Sequence, residues 1–192
     1  MTRGDFSVMT RNLLILGAGP YGTVVKEIAD QMDCFEKISF LDDSFGLGEG
    51  EGSYHEVSIG RLDDYDKFFE QYSFAIAALE DQELRKELSD RLRESSYQIP
   101  ILVSPEAYVS KSAQLRYGVI IEPKAVVMSN TCIGVGTLIS AGAVVKQNSF
   151  VGEYCNIASN AVIANGAFLP SNTKVEEGVI AGRSDPFSHL KK

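Results

Sequence analysis

Three glycines, Gly17, Gly19 and Gly22, are spaced as GxGxxG within RNLLILGAGPYG. An apolar run precedes them, and TVVKEIADQMD, apolar at helical spacing, follows. In that setting glycines let phosphate oxygens approach the backbone, and the opening turn of the helix offers N–H groups and the positive end of its dipole. Asp42 comes twenty residues after Gly22, closing a second apolar run, where an acid can accept hydrogen bonds from a ribose or a base. The combination points to a nucleotide-containing ligand. Other chemistry-bearing side chains are sparse. The two histidines, His55 and His189, lie far apart, the first in the Gly- and Glu-rich stretch DSFGLGEGEGSYHE. The cysteines, Cys34, Cys132 and Cys155, are odd in number and form no CxxC pair, so neither a disulfide framework nor a metal site is expected.

The elements that must position these residues fall into two parts with different periods. Up to residue 103, RNLLIL, EKISFLDD, YSFAIAAL and YQIPILVSP read as strands, and TVVKEIADQMD and DQELRKELSDRLRES as helices. Alternation of this kind predicts a small parallel α/β sheet of Rossmann type with about four strands. That is half of a usual dinucleotide platform, and no hydride-transfer residue is evident, so one nucleotide is expected rather than NAD.

From Val109 to Val175 every sixth residue is aliphatic, through twelve consecutive hexads. Two positions earlier the side chain is small, as at Ala125, Thr137, Ala143 and Cys155; three positions later Gly or Asn recurs, as at Gly118, Asn130, Gly142 and Asn148. Residues two apart on a strand share a face, and Gly and Asn tolerate the positive φ of a tight corner. Each hexad is therefore a short strand plus a turn, and three hexads per coil predict a left-handed parallel β-helix of about four coils. Both inward columns are core, which assigns Cys155 to packing. The intervening column faces out, and every third member shares a side: Tyr108, Val126, Val144 and Val162 on one; Gln114, Cys132, Phe150 and Phe168 on another; Ile120, Leu138, Asn156 and Lys174 on the third. An apolar outer stripe marks an interface. A homotrimer packed through Val126, Val144 and Val162 is expected. The predicted organisation is a Rossmann-like region over 1–103, the β-helix over 104–182 and a tail over 183–192.

The formal charge of −8 excludes a basic nucleic-acid-binding face, leaving a small molecule or a protein as partner. No stretch is long and apolar enough to span a membrane, and MTRGDFSVMTRN lacks the apolar core of a signal peptide, so the expected location is cytoplasmic.

LGAGPYG, FLDDS and the run of hexads, in that order, resemble the hexapeptide-repeat nucleotide-sugar acyltransferases, the family of sialic acid O-acetyltransferases and bacillosamine N-acetyltransferases, from residue 12 to about 180. The resemblance implies a trimer, a UDP-sugar on the N-terminal region and acetyl-CoA or another acyl-CoA between neighbouring β-helices. It also implies a histidine base that deprotonates the sugar amine or hydroxyl. Carried over singly, Gly17, Gly19 and Gly22 line the phosphates, Asp42 and Asp43 meet the base, and Arg85 matches the arginine after the family's third strand.

The departures are specific. Tyr21 stands where the family usually has histidine, and Glu80 where it commonly has glycine. In the family's catalytic segment Gln147 replaces the base and Asn148 the carboxylate beside it; Asn156 takes the place of a further histidine associated with acyl-CoA. An amide takes no proton near neutral pH, and a positioned base is worth roughly 10²–10⁴-fold. His189 in the tail is the one relocated base the chain offers. Two functions stay open: an acyl-CoA-dependent N- or O-acyltransferase acting on a nucleotide-linked amino sugar, and a catalytically inactive trimeric nucleotide-sugar-binding or regulatory protein. A zinc hydratase would need about three histidines in the repeats, which have none.

Overall fold

The computed structural model describes residues 10–46 and 57–182. Strand β1 (Asn12–Leu16) lies between β2 (Lys37–Leu41) and β3 (Phe74–Ala77), all parallel. Helix α1 (Pro20–Gln31) connects β1 to β2. A 3-10 helix (Leu62–Phe68) precedes β3, and α2 (Gln82–Glu94) follows it. Burial on both faces explains why β1 reads as an unbroken apolar run: Leu13 and Ile15 pack towards α1, Leu14 and Leu16 towards α2. The Asp81 side chain caps α2 by accepting a hydrogen bond from the Leu84 amide at 2.8 Å.

The sheet holds three strands, where the sequence suggested about four. Within YQIPILVSP, Gln98 makes only a bridge to Phe74, and β4 (Leu102–Val103) instead pairs in parallel with Ile120–Ile121 of the repeats. Pro100 between them cannot donate a ladder hydrogen bond, which suits a change of sheet at that point.

The repeats form a parallel β-solenoid of about four turns, with two-residue strands from β4 to β17 (Ile180–Ala181) distributed over three sheets. The aliphatic and small columns fill one continuous core, including Ile121, Ala125, Val127, Val145, Cys155 and Ile163, all fully buried. Burial raises the Cys155 thiol pKa, leaving it protonated and unreactive. The corners carry positive φ at the expected Gly and Asn residues, and also at Lys124 and Tyr154. The Tyr154 ring lies over the adjacent coil, where a Cβ on Gly136 would approach its Cε1 within 2.4 Å.

The three outer columns have different fates. Leu102, Ile120 and Leu138 are buried with Val25, Ile28 and Ala29 of α1, so the first side of the solenoid is the platform for the α/β region. At about 1.5–3 kcal/mol per aliphatic side chain, these contacts account for a large part of that attachment. Further along the same side the column turns polar, with Asn156 and Lys174. The second side presents Tyr108, Val126, Val144, Val162 and Ile180 in one stripe, Tyr108 59% and Ile180 50% exposed. On the third, Phe150 and Phe168 stack with ring centroids 5.1 Å apart. Among the described residues no helix is long and apolar enough to cross a membrane.

Candidate functional site

The glycine turn is held by contacts within the protein. Gly17 has φ +111°, and a Cβ there would meet the Ala78 carbonyl oxygen at 2.8 Å. A Cβ on Gly22 would lie 2.0 Å from the Gly17 carbonyl oxygen, so Gly22 is what lets α1 start against β1. Gly19 is the residue before the helix; Pro20 occupies its first position, and the first turn carries no acid. An unblocked helix start of this kind suits an anion. Asp42 is committed to the same turn. Its Oδ2 accepts from the Ala18 amide at 2.8 Å, and its Oδ1 from the Ser44 amide and hydroxyl at 2.9 and 2.6 Å. Asp43 is exposed, accepts from the Leu62 amide at 3.3 Å and lies 3.7 Å from Arg61 Nε.

Arg85, expected among the ligand contacts, is only 1% exposed and serves as an internal tie. Its Nε donates to the Gly136 carbonyl at 3.0 Å, Nη1 to the Leu79 and Glu80 carbonyls at 2.5 and 3.1 Å, and Nη2 to Asn156 Oδ1 at 2.5 Å. The planar fork thus satisfies carbonyls of the loop after β3 and of the solenoid together, which repays the removal of its charge from water. Asn156, expected beside acyl-CoA, belongs to this tie: its Nδ2 donates to the Glu80 carbonyl at 2.8 Å. Gln82 completes it by donating to the Tyr154 carbonyl at 2.7 Å.

A cavity of about 320 Å³ opens beside the tie, between the α/β region and the first side of the solenoid. Tyr21, Glu80, Gln82, Ser140, Asn156 and Lys174 are among its lining residues. The Tyr21 hydroxyl itself is fully buried and finds no hydrogen-bond partner among the described residues. Burial first, and then the field of Glu122, raise its pKa well above that of an ordinary phenol, so it is neutral. Burial also raises the Glu122 carboxyl, against hydrogen bonds from the Ala141 amide at 2.9 Å and from Ser140. Sequence reasoning did not single out Glu122. Its one signal is its place at the corner after Ile121, beside an outer column that is apolar because something covers it.

The structure separates Gln147 from this cavity. Gln147 lies at the corner between the second and third sides, its carbonyl accepting from the Gly166 amide at 3.0 Å, whereas the cavity lies on the first side. Asn148 is a corner residue with φ +59°, and its Oδ1 accepts from Asn130 Nδ2 at 3.3 Å. His55 and His189 lie outside the described residues. Among the described residues no group of three His, Cys, Asp or Glu side chains could hold a metal ion.

Residues 12–92 match the family described as the PglD N-terminal domain. The structure superposes on the acetyltransferase domain of PglB from Neisseria gonorrhoeae FA1090 in complex with acetyl coenzyme A, with a TM-score of 0.78 at 21% identity over 90% of this chain and 94% of that one. The N-terminal part of the chain carries that domain, and the chain shares the fold of these acetyltransferase structures, an α/β region followed by a parallel β-solenoid. A histidine-to-asparagine mutant of perosamine N-acetyltransferase from Caulobacter crescentus, in complex with CoA and GDP-perosamine, matches with a TM-score of 0.77 at 21% identity, covering 90% of this chain and 89% of that one. In sequence, UDP-N-acetylbacillosamine N-acetyltransferase from Bacillus subtilis is 28% identical over 108 residues. That alignment spans 56% of this chain and half of the relative.

Proposed function

We propose that this protein is a hexapeptide-repeat nucleotide-sugar acyltransferase that binds a nucleotide-linked amino sugar in the cavity between the α/β region and the solenoid, and acts on it with an acyl-CoA. The observation that carries the reading is the cavity itself, walled by α1 just after the glycine turn on one side and by solenoid residues Ser140, Asn156 and Lys174 on the other. The turn supplies amides and a dipole for phosphates; the polar walls supply hydrogen bonds for a sugar. UDP and GDP are both candidate nucleotides, given the UDP-linked name of one relative and the GDP-sugar held by another. Acetyl-CoA is the proposed co-substrate, in keeping with the PglB domain that holds it. The working assembly is a cytoplasmic homotrimer joined through the Val126, Val144 and Val162 stripe. A second copy is required, because within one chain Gln147 faces away from the cavity.

Mechanistically, this chain orients an amine against a thioester and relies on proximity rather than on an imidazole at position 147. The Gln147 amide can hold a nucleophile by hydrogen bonding but takes no proton. That residue favours a second reading, in which the protein binds nucleotide sugar without turnover. In the perosamine N-acetyltransferase mutant, a histidine changed to asparagine leaves CoA and GDP-perosamine both bound. Calorimetry of acetyl-CoA with and without a UDP- or GDP-linked amino sugar, followed by mass spectrometry of the mixture, tests both readings. Saturable acetyl-CoA binding with acylated product supports the enzyme; nucleotide-sugar binding with neither supports the second reading.

A further inference from the structure

Glu80 combines a fixed backbone with an uncommitted charge. Its carbonyl accepts from Arg85 Nη1 at 3.1 Å and from Asn156 Nδ2 at 2.8 Å, and the next residue, Asp81, caps α2 with its side chain. The chain is thus held at Glu80 and just after it, so this residue cannot leave the cavity wall without breaking the tie. Glu80 is exposed and lines the cavity, yet its carboxylate makes no hydrogen bond or ion pair among the described residues. Asp81 beside it lines the cavity too. Lys174, the cation of the solenoid wall, already has a carboxylate of its own in Glu176, at 3.4 Å. Arg85 is only 1% exposed, and its donors are directed to carbonyls and to Asn156.

We propose that Glu80 is a specificity-determining residue that excludes sugars bearing a carboxylate from this cavity while admitting uncharged ones. The inference rests on the nucleotide-sugar reading above and concerns the sugar rather than the nucleotide. Discrimination works by repulsion. An anionic substituent entering the cavity meets a like charge, with Asp81 next to it and the nearest wall cation already paired; a hydroxyl in the same place can donate to the Glu80 carboxylate. Because the wall is open to water, the effect is moderate: two unit charges a few ångströms apart at such a surface change affinity by about tenfold. Dissolved salt screens an exposed charge pair of this kind, which gives the effect a second signature.

Titration calorimetry on the full chain tests the proposal with free UDP and GDP and with two pairs of linked sugars, each pair differing in a single group: UDP-glucose and UDP-glucuronic acid, GDP-mannose and GDP-mannuronic acid. In the pair whose nucleotide the wild type accepts, the uncharged sugar is expected to bind about tenfold tighter than the acid. That gap should narrow as salt rises from about 0.05 M to about 0.5 M. Glu80→Gln keeps the size of the side chain; it should close the gap by strengthening binding of the acid, with affinity for free nucleotide unchanged. Equal affinity for both members of the pair in a wild type that binds free nucleotide overturns the proposal, and so does tighter binding of the acid, which would make Lys174 the deciding charge. A gap that survives Glu80→Gln overturns it as well. So does a variant that gains as much affinity for free nucleotide as for the acid, because Glu80 would then act on the phosphates. A wild type that binds free nucleotide but neither linked sugar shows that charge decides nothing and has the same consequence. A wild type that binds none of the probes overturns the nucleotide-sugar reading itself, and this inference with it.

Discussion

Arg85 Nη2 lies 2.5 Å from Asn156 Oδ1, joining α2 to the solenoid across 71 residues of sequence. The same Asn156 returns a hydrogen bond to the Glu80 carbonyl. The two side chains therefore set the position of the loop that forms one wall of the cavity.

Removing either partner should loosen this wall unequally. Arg85→Met strands the Leu79, Glu80 and Gly136 carbonyls and is expected to lower stability by about 3 kcal/mol or more in urea unfolding. Asn156→Ala should lower it by about 1–2 kcal/mol. The two losses should fall short of adding in the double variant, because each single change already breaks their shared bond. Strict additivity would show that the pair is not coupled.

Glu122 should make the ligand-free protein less stable at neutral pH than its amide counterpart. Its folded carboxyl is raised above the unfolded value of about 4.3, chiefly by burial and partly by Glu80, against hydrogen bonds from the Ala141 amide and Ser140. A raised carboxyl favours the protonated folded form; its contribution is complete below the unfolded pKa and is lost as pH rises through the folded one. Glu122→Gln should accordingly melt about 2–4 °C higher at pH 7, with the difference vanishing near pH 4. A wild type that melts at or above the variant at pH 7 contradicts this.

The glycine turn should reject a methyl group. In Gly22→Ala the added Cβ meets a backbone oxygen at 2.0 Å, which cannot move without shifting β1 or α1. A loss of about 3 kcal/mol or more is expected, at the upper end for overpacking. Asp42→Ala should release the Ala18 and Ser44 hydrogen bonds and cost stability as well as nucleotide affinity, whereas Asp42→Asn keeps an acceptor and should separate the two effects. Denaturant midpoints and UDP titrations on the same preparations provide the check.

Val126→Glu should yield monomers in analytical ultracentrifugation, since a carboxylate in an apolar contact must be desolvated unpaired. Val126 sits on the stripe with Tyr108, Val144, Val162 and Ile180. A wild type that sediments as a monomer excludes the proposed assembly.

Gln147→His restores an ionisable group at the corner between the second and third sides. Acetyl transfer to a nucleotide-linked amino sugar should rise by about 100-fold or more if a missing base limits the reaction. An unchanged rate would mean that the amine needs no base at this corner.

Much of the fold was legible because periodicity is local. The hexads announce the solenoid because each coil repeats one choice of inward aliphatic, inward small residue and corner glycine or asparagine, and those choices depend only on neighbours six and eighteen residues away. The strands and helices around Gly17–Gly22 were legible for the same reason. The corners at Lys124 and Tyr154 were not: their positive φ is imposed by the coils around them, against the preference of the side chain. The strand around Leu102 was assigned to the wrong sheet, because an apolar run states that it will be buried and not by what.

The site was less legible than the fold. Arg85 and Asn156 read as ligand contacts, and nothing in the sequence told that they also tie the loop after β3 to the solenoid, with Asn156 on the cavity wall as well; Glu122 had no motif around it. In each case the role depends on which surface closes over the residue. The sequence by itself determined a glycine turn, a repeat of flat coils with a filled interior, and repeats that contain no histidine. Only the tertiary structure decided that the outer column from Leu102 to Leu138 is covered by α1, that the cover ends at Asn156 to leave a cavity, and that Tyr21 of α1 and Ser140 of the solenoid both line it. The physical reason is that a strand pair or a corner is specified by residues close in the chain, whereas burial of an outer face, and hence the charge and hydrogen bonding of what lies there, depends on a partner surface from a distant segment.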